Sequence, residues 1–507
     1  MKLKERELIK KMEGVEVERP LKLHFIPYLA PGHMIPLGDI AALFASRAQQ
    51  VTIITTPSNT HFFTNKSPSF ADPLFLRLHT VDFPSKQVGL PDGVESLSST
   101  TDIATSAKIY YGAMLLHGPI QDFMEKDPPD CIITDCIYPW VYDLGHKLKI
   151  PTIAFTGFSI FTVSLMESLR INPSWKSHTD LDSFVVPNFP HSITLCTKPP
   201  KSFTGFMEMV HETTLKTNGL IVNNFAELDG EECIEHYEKT TGHKAWHLGP
   251  ASLIRKTIQE KAERGHESVV GVQECLRWLD LKRVNSVLYI CFGSNCYFSD
   301  KQLYEIACGI EASGHEFVWV VPEKKGKEDE SEEEKGKWLP KGFEDRNIQK
   351  KKGLIIRGWA PQVMILGHTA VGVFMTHCGW NSTIEAVSAG IPMITWPVHG
   401  EQFYNEKLIT DVRGIGIEVG ATEWCVDGIE ERKKVVNKDS IEKAVRKLMD
   451  GGDEAEDIRR RAREFGDKAR GAVQEGGSSH NNLLALIDDI RRLRDSKPLD
   501  SFNDSLS

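Results

Sequence analysis

Residues 359–402 read WAPQVMILGHTAVGVFMTHCGWNSTIEAVSAGIPMITWPVHGEQ, and these 44 positions decide the fold. VGVFMTH (371–377) is an apolar run of strand length that closes on a histidine. A Cys-Gly turn follows, and STIEAVSAG opens a helix. IPMITWP (391–397) is a second strand, and it leads to His399, Gly400, Glu401 and Gln402. Strand, glycine turn and helix in alternation are the units of a parallel sheet covered by helices. The same geometry binds anions: the first N–H groups of a helix have no intrahelical acceptor, and the helix dipole favours negative charge there.

The pattern extends in both directions. Upstream, SVLYICFGS (286–294), EFVWVV (316–321) and GLIIRGW (353–359) read as strands with helices between them. An earlier set consists of LKLHFIPY (21–28), VTIITT (51–56), DCIITD (130–135), TIAF at Thr152 and GLIVNNF (219–225), with a helical pattern over 37–46. Two such halves in tandem predict an α/β protein of two Rossmann-like, doubly wound parallel-sheet domains facing a cleft. The expected boundaries are an N-terminal extension over 1–20, a first domain over 21–250, a polar linker over 251–270 and a second domain over 271–475. A C-terminal helix and tail follow over 476–507. Within that last segment, Leu483, Leu484, Leu486, Ile487 and Ile490 give a capped helix its apolar face. KKGKEDESEEEKGK (324–337) has no apolar residue and reads as a solvated loop. Met12 reads as an alternative start, with residues 1–11 dispensable, and the residues from Lys497 onward read as a frayed end.

Composition narrows the function. A net charge of −10 argues against a nucleic-acid partner, which would want a basic face. The ten cysteines contain no C-x-x-C, so neither a zinc knuckle nor a redox pair is indicated, and reduced thiols in a cytoplasmic protein are the default. No signal peptide or membrane-spanning run is legible.

Several residues suit one chemistry. Trp359, at the carboxyl end of a strand, can stack on a base, although an isolated Trp there more often belongs to the core. His377, Asn381 and Ser382 can donate to a diphosphate at the helix start, and Ser294 can add a hydroxyl from a neighbouring strand end. Ser382 and Glu385 also form S-x-x-E, a capping box, which would explain both without a ligand. Glu401 and Gln402 can each pair with sugar hydroxyls, or be an ordinary polar loop. His33, in a Gly/Pro turn after the first strand, can act as a base if a carboxylate such as Asp135 orients it.

Taken together, residues 359–402 resemble the signature box of plant secondary-product (family 1) UDP-glycosyltransferases, which have the GT-B fold. The resemblance implies roles for Trp359, Ala360 and Gln362 at the uridine and for Glu385 at the ribose. It places His377, Asn381, Ser382 and Ser294 at the diphosphate, and Trp380, Glu401 and Gln402 at the hexose. A terminal Gln is similar to that of glucose-using members. The P-x-x-x-x-G-H-x-x-P loop implies that His33 is the base and Asp135 its partner, and the C-terminal helix is expected to pack back on the first domain. The implied reaction is inverting transfer from UDP-glucose as co-substrate, with no cofactor and no metal. Asp180-Leu181-Asp182, the D-x-D of the chain, reads as polar loop.

The partner is expected to be a small apolar aglycone, and the enzyme a monomer. Tyr28, Phe83, Tyr138, Trp140, Phe155, Phe158 and Phe203 are candidates for the aglycone pocket. A triterpenoid sapogenin is the leading acceptor, with a flavonoid as the alternative. Ala48 stands where the family usually has a Gly, and a small cost in stability is expected there. Three other functions fit less well. A dinucleotide oxidoreductase needs G-x-G-x-x-G, which Gly414-Ile415-Gly416 does not complete. A glycosidase needs paired carboxylates. A non-catalytic nucleotide-sugar binder would lack the base.

Overall fold

The computed structural model describes residues 19–64, 74–100, 102–178, 183–266, 271–294, 296, 298–321, 338–425 and 434–496. Residues 1–11, the D-x-D at 180–182, the acidic stretch 324–337 and the tail from Lys497 lie outside them. In chain order the strands are β1 (Lys22–Ile26), β2 (Gln50–Thr55), β3 (Leu76–Thr80), β4 (Cys131–Asp135) and β5 (Thr152–Thr156). Next come β6 (Phe184–Val185), β7 (Thr194–Leu195), β8 (Leu220–Val222), β9 (Ala245–His247) and β10 (Val287–Cys291). The last are β11 (Glu316–Val321), β12 (Gly353–Arg357), β13 (Val371–Thr376), β14 (Met393–Thr395) and β15 (Gly416–Glu418).

They form a seven-stranded sheet in the order β3-β2-β1-β4-β5-β8-β9 and a six-stranded sheet in the order β12-β11-β10-β13-β14-β15. Every pairing in both is parallel. The molecule is therefore the α/β, two-sheet GT-B architecture. Central strands such as β4 and β13 are buried along their whole length, as strands covered on both faces must be. The strands not anticipated from sequence are β3, β9, β15 and the small antiparallel pair β6-β7. β3 and β15 are edge strands and β9 closes the far edge; a run such as LRLHT, with no buried residue, carries little apolar signal.

In each sheet the order reverses once, between β1 and β4 and between β10 and β13. A crevice opens at such switch points, outside the carboxyl ends of the strands. The helices around the two crevices are α1 (Pro31–Ser46), α2 (Ile160–Ile171), α3 (Lys201–Leu215), α4 (Ile258–Ala262), α5 (Gln362–Leu366), α6 (Trp380–Ala389), α7 (Gln402–Lys407) and α8 (Ser478–Asp495).

Three elements differ from the sequence reading. α1 begins at Pro31 rather than near Leu37, so His33 stands in the first helical turn and not in a loop. Proline at the first helical position lacks only an N–H that would have had no partner there. α8 has no side-chain cap, and Leu484 is 40% exposed while Leu483, Leu486, Ile487 and Ile490 are buried in the core of the first sheet. Residues 251–266 contain a 3₁₀ turn (Ala251–Ile254) and α4, whose Thr257 and Glu260 form a reciprocal capping box. Ala48 has φ of +60°, a left-handed conformation that costs an alanine about 1 kcal/mol relative to glycine. No disulfide joins the ten cysteines, and no helix among the described residues is long and apolar enough to cross a membrane.

Candidate active site

Both switch points face one cavity of about 610 Å³. His33 enters it from the first turn of α1, which follows β1 directly. Asp135 ends β4, the strand across the switch point, and is fully buried. The His33 Nδ1 and Asp135 Oδ2 are 2.6 Å apart. The other carboxylate oxygen, Oδ1, accepts from the Ile137 N–H at 3.1 Å, which fixes the carboxylate plane. Burial alone would lower the imidazole pKa. The Asp135 charge and hydrogen bond, with Glu401 adding to them, outweigh that and hold it above its ordinary value.

The opposite wall is built on β13 and α6. β13 delivers His377; Cys378 then turns the chain at φ of +65°, and Gly379 precedes the first residue of α6, Trp380. A non-glycine residue held at positive φ in a strand-to-helix junction is strain that the surroundings sustain, here by Asn405 Nδ2 donating to the Cys378 carbonyl at 2.8 Å. Because α6 starts at Trp380, Ser382 lies inside the first turn and is not a cap. The capping-box explanation of Ser382 and Glu385 is not realised. Ser382 Oγ accepts from Gln362 Nε2 at 3.1 Å, and Glu385 Oε2 accepts from the same nitrogen at 2.9 Å.

His377 is boxed between two glycines. A Cβ on Gly293 would come within 2.7 Å of its ring, and one on Gly379 within 2.3 Å. Its Nδ1 has no hydrogen-bond partner among the described residues. Burial, and then the neighbouring His399, hold its pKa down at about 3, so the ring is neutral at physiological pH. Ser294, on the turn after β10, lines the same cavity.

Trp359, Ala360 and Gln362 line the cavity beyond the end of β12. The Trp359 indole lies edge-on to His266, with centroids 5.0 Å apart. At the other end, burial pushes Glu401 up to about 7, while backbone donors and His33 pull it back. Gln402 Oε1 accepts from the Val398 and His399 N–H groups at 2.8 and 3.0 Å. Only its NH₂ end is left for a ligand, so the acid and the amide are not equivalent hydroxyl binders. Trp380 also differs from a simple sugar contact: its indole N–H donates to the Asn223 carbonyl of the first domain at 2.9 Å. Its backbone N–H is one of the donors to the Glu401 carboxylate, so Trp380 ties Glu401 to the start of the helix. Asn381 Nδ2 likewise reaches the first domain, donating to the Gly32 carbonyl at 2.6 Å.

Sequence reasoning missed Asn223, whose carbonyl and side chain meet α6, and the linker residues Lys261, Arg264 and His266, which line the cavity. Their stretch is polar and carries no strand or helix-start signature beyond Thr257. Of the aromatic residues expected around an aglycone, Phe158 lines this cavity, joined by Leu97, Ser98 and Thr100. Tyr28, Tyr138 and Phe155 are core residues, and Phe203 lines a separate cavity between α2 and α3. Among the described residues no group of three or more His, Cys, Asp or Glu is placed to hold a metal ion.

A histidine paired with a carboxylate on one sheet thus faces a helix start on the other across one cavity. Residues 274–450 match the family model described as UDP-glucoronosyl and UDP-glucosyl transferase. The chain is 46% identical to the UDP-glucosyl transferase 73CC6 of Saponaria officinalis, over 95% of this chain and 99% of that one. It is 42% identical to the UDP-glucose flavonoid 3-O-glucosyltransferase 7 of Fragaria ananassa, over 93% of this chain and 96% of that one. Among solved structures it is similar to the Glycyrrhiza uralensis UGT73P12 complexed with glycyrrhetinic acid 3-O-monoglucuronide. That match has a TM-score of 0.85 at 37% identity and covers 94% of this chain and 96% of the other. The chain belongs to the plant family 1 UDP-glycosyltransferases, GT-B enzymes that take a UDP-sugar as co-substrate.

Proposed function

We propose that the protein transfers glucose from UDP-glucose, with inversion, to a hydroxyl or carboxyl of an apolar plant metabolite, and that a triterpenoid sapogenin is the preferred acceptor. The observation that carries the reaction is the His33–Asp135 pair, 2.6 Å apart and facing the start of α6 across one cavity. His33 Nε2 takes the acceptor proton as the acceptor oxygen attacks the anomeric carbon. The new C–O bond forms as the bond to UDP breaks, and an α-linked donor yields a β-glycoside. The charge growing on the leaving diphosphate meets the first-turn N–H groups of α6, Ser382 and the neutral His377, with Ser294 opposite. Asp135 keeps the proton on Nδ1 and stabilises the imidazolium that forms. Glu401 and the Gln402 NH₂ hold the hexose, and Glu385 accepts from the ribose hydroxyls.

The sapogenin preference draws on the size of the cavity, the apolar Leu97 and Phe158 on its acceptor side, and the likeness to an enzyme crystallised with a triterpenoid glucuronide. A flavonoid acceptor is the second reading, favoured by the relative from Fragaria ananassa. The domain limits proposed with it are 21–250 for the acceptor half and 271–475 for the donor half, with 251–270 between them. His33→Ala should still bind UDP-glucose in calorimetry while turnover falls by roughly 10²–10⁴-fold, the usual worth of a positioned general base. Unchanged turnover would reject the base. Mass spectrometry of wild-type reactions with sapogenin and flavonoid panels tests the acceptor; faster turnover of flavonoids would reverse the preference.

A further inference from the structure

The linker does more than join the domains. Arg264, which follows α4, is buried with one nitrogen on each half of the molecule. Its Nε donates to Asp39 Oδ2 on α1 at 2.8 Å, and its Nη1 donates to Glu385 Oε1 on α6. Asp39 is fully buried, and its second oxygen is taken by Arg255 Nε at 2.8 Å. The side chains of Glu385 and Arg264 are 4% and 8% exposed, so this is a largely buried network of two carboxylates and two guanidinium groups at the cavity wall. The next residue, Gly265, has φ of +95°, and a Cβ there would come within 2.3 Å of the Trp359 indole. Arg264, Gly265 and His266 thus form a wall that touches two of the residues assigned to the nucleoside, Trp359 and Glu385.

A carboxylate offers about four lone-pair sites. Gln362 and Arg264 occupy one on each oxygen of Glu385, which leaves one on each oxygen for a vicinal diol. A buried carboxylate without a cation would be strongly disfavoured in its ionised form. A planar guanidinium presents its donors in a rigid fork that sets the orientation of both carboxylates, which the rotatable donors of an ammonium do not.

We propose that Arg264 is a positioning residue of the donor site: bridging Asp39 and Glu385, it holds the Glu385 carboxylate turned toward the ribose diol. The enzyme's preference for ribonucleotide over deoxyribonucleotide donors then depends on a side chain outside the signature box. This rests on the reading of Glu385 as the ribose acceptor.

The test is calorimetric binding of UDP and 2′-deoxy-UDP to the full-length wild type, Arg264→Gln, Arg264→Lys and Glu385→Ala, with melting temperatures recorded alongside. The wild type should prefer UDP. Arg264→Gln should lose about tenfold of that preference, a coupling normal for side chains in direct contact. Arg264→Lys, which keeps the charge but not the fork, should lose part of it. If the Gln variant does not fold, the Lys variant decides. An undiminished preference in the folded Arg264 variants, with Glu385→Ala losing it, overturns the proposal alone. An undiminished preference in Glu385→Ala overturns the ribose reading and the proposal with it. Tighter UDP binding in Arg264→Gln would make the arginine a plug instead, and would also overturn the proposal.

Discussion

His33 and His377 occupy matching places. Each follows a central strand at the switch point of its sheet, beside the start of a helix, in the same cavity. Their surroundings differ in one respect that sets their chemistry. His33 has a carboxylate at 2.6 Å and a pKa held above the ordinary value. His377 has a second histidine, His399, beside it and a pKa of about 3. Burial pushes both rings toward neutrality; the Asp135 charge, with Glu401 adding to it, reverses the outcome for one of them. One imidazole can therefore accept a proton near neutral pH. The other stays a neutral donor whatever the physiological pH.

The largest effect should come from removing that charge. Asp135→Asn should lower turnover by roughly 10²–10⁴-fold, since the tautomer and basicity of His33 both depend on the carboxylate. The pH profile gives the sharper signature. The base works unprotonated, so wild-type kcat/KM should fall as pH drops through a pKa above the ordinary histidine value. In Asp135→Asn burial is opposed by Glu401 alone, and the acid limb should move to lower pH. A limb that stays in place would assign the titration to another group, with Glu401 at about 7 the first candidate.

His377→Ala should cost about a hundredfold in kcat, the usual loss for one donor to a developing anion. It should leave the position of the acid limb unchanged, and a shifted limb would contradict a neutral His377. The smallest effects come from the glycines beside each ring. Gly379→Ala puts a Cβ 2.3 Å from His377 Nε2 and should weaken UDP binding measurably. Gly157→Ala puts one 3.7 Å from His33 Cε1, an ordinary contact, and should leave kcat/KM within about twofold, the kind of near-neutral change typical away from strained sites. Equal losses in the two variants would mean that the packing around the rings, not their charge environment, distinguishes them.

Much of this site was legible because apolar strands of four to six residues advertise themselves and place their last residue in the crevice. His33, Asp135, His377 and Trp359 all follow from strand ends. Two things were hidden. A sequence does not say which end of a side chain is spent: Gln402 uses its carbonyl on its own loop, and Trp380 gives its indole to Asn223. Polar linkers also carry no periodicity, so Arg264 passed as solvated chain. One clue was available: Asp39 is a lone charge within the apolar run PLGDIAALF, and a charge on a buried helix face requires a cation from somewhere.

Pro36 lies inside α1 and has no N–H to give the Gly32 carbonyl four residues earlier. Asn381 fills that gap from the other half of the molecule. The missing backbone bond thus becomes an address: α1, which carries His33, is addressed to one asparagine on α6. Domain recombination between relatives would have to respect that pairing. A chimera that keeps this first half but brings a donor half without an asparagine at this position would expose an unmet carbonyl one residue from the base. Swapping halves should succeed where Pro36 and Asn381 travel as a pair, and lose turnover before it loses folding where they are separated.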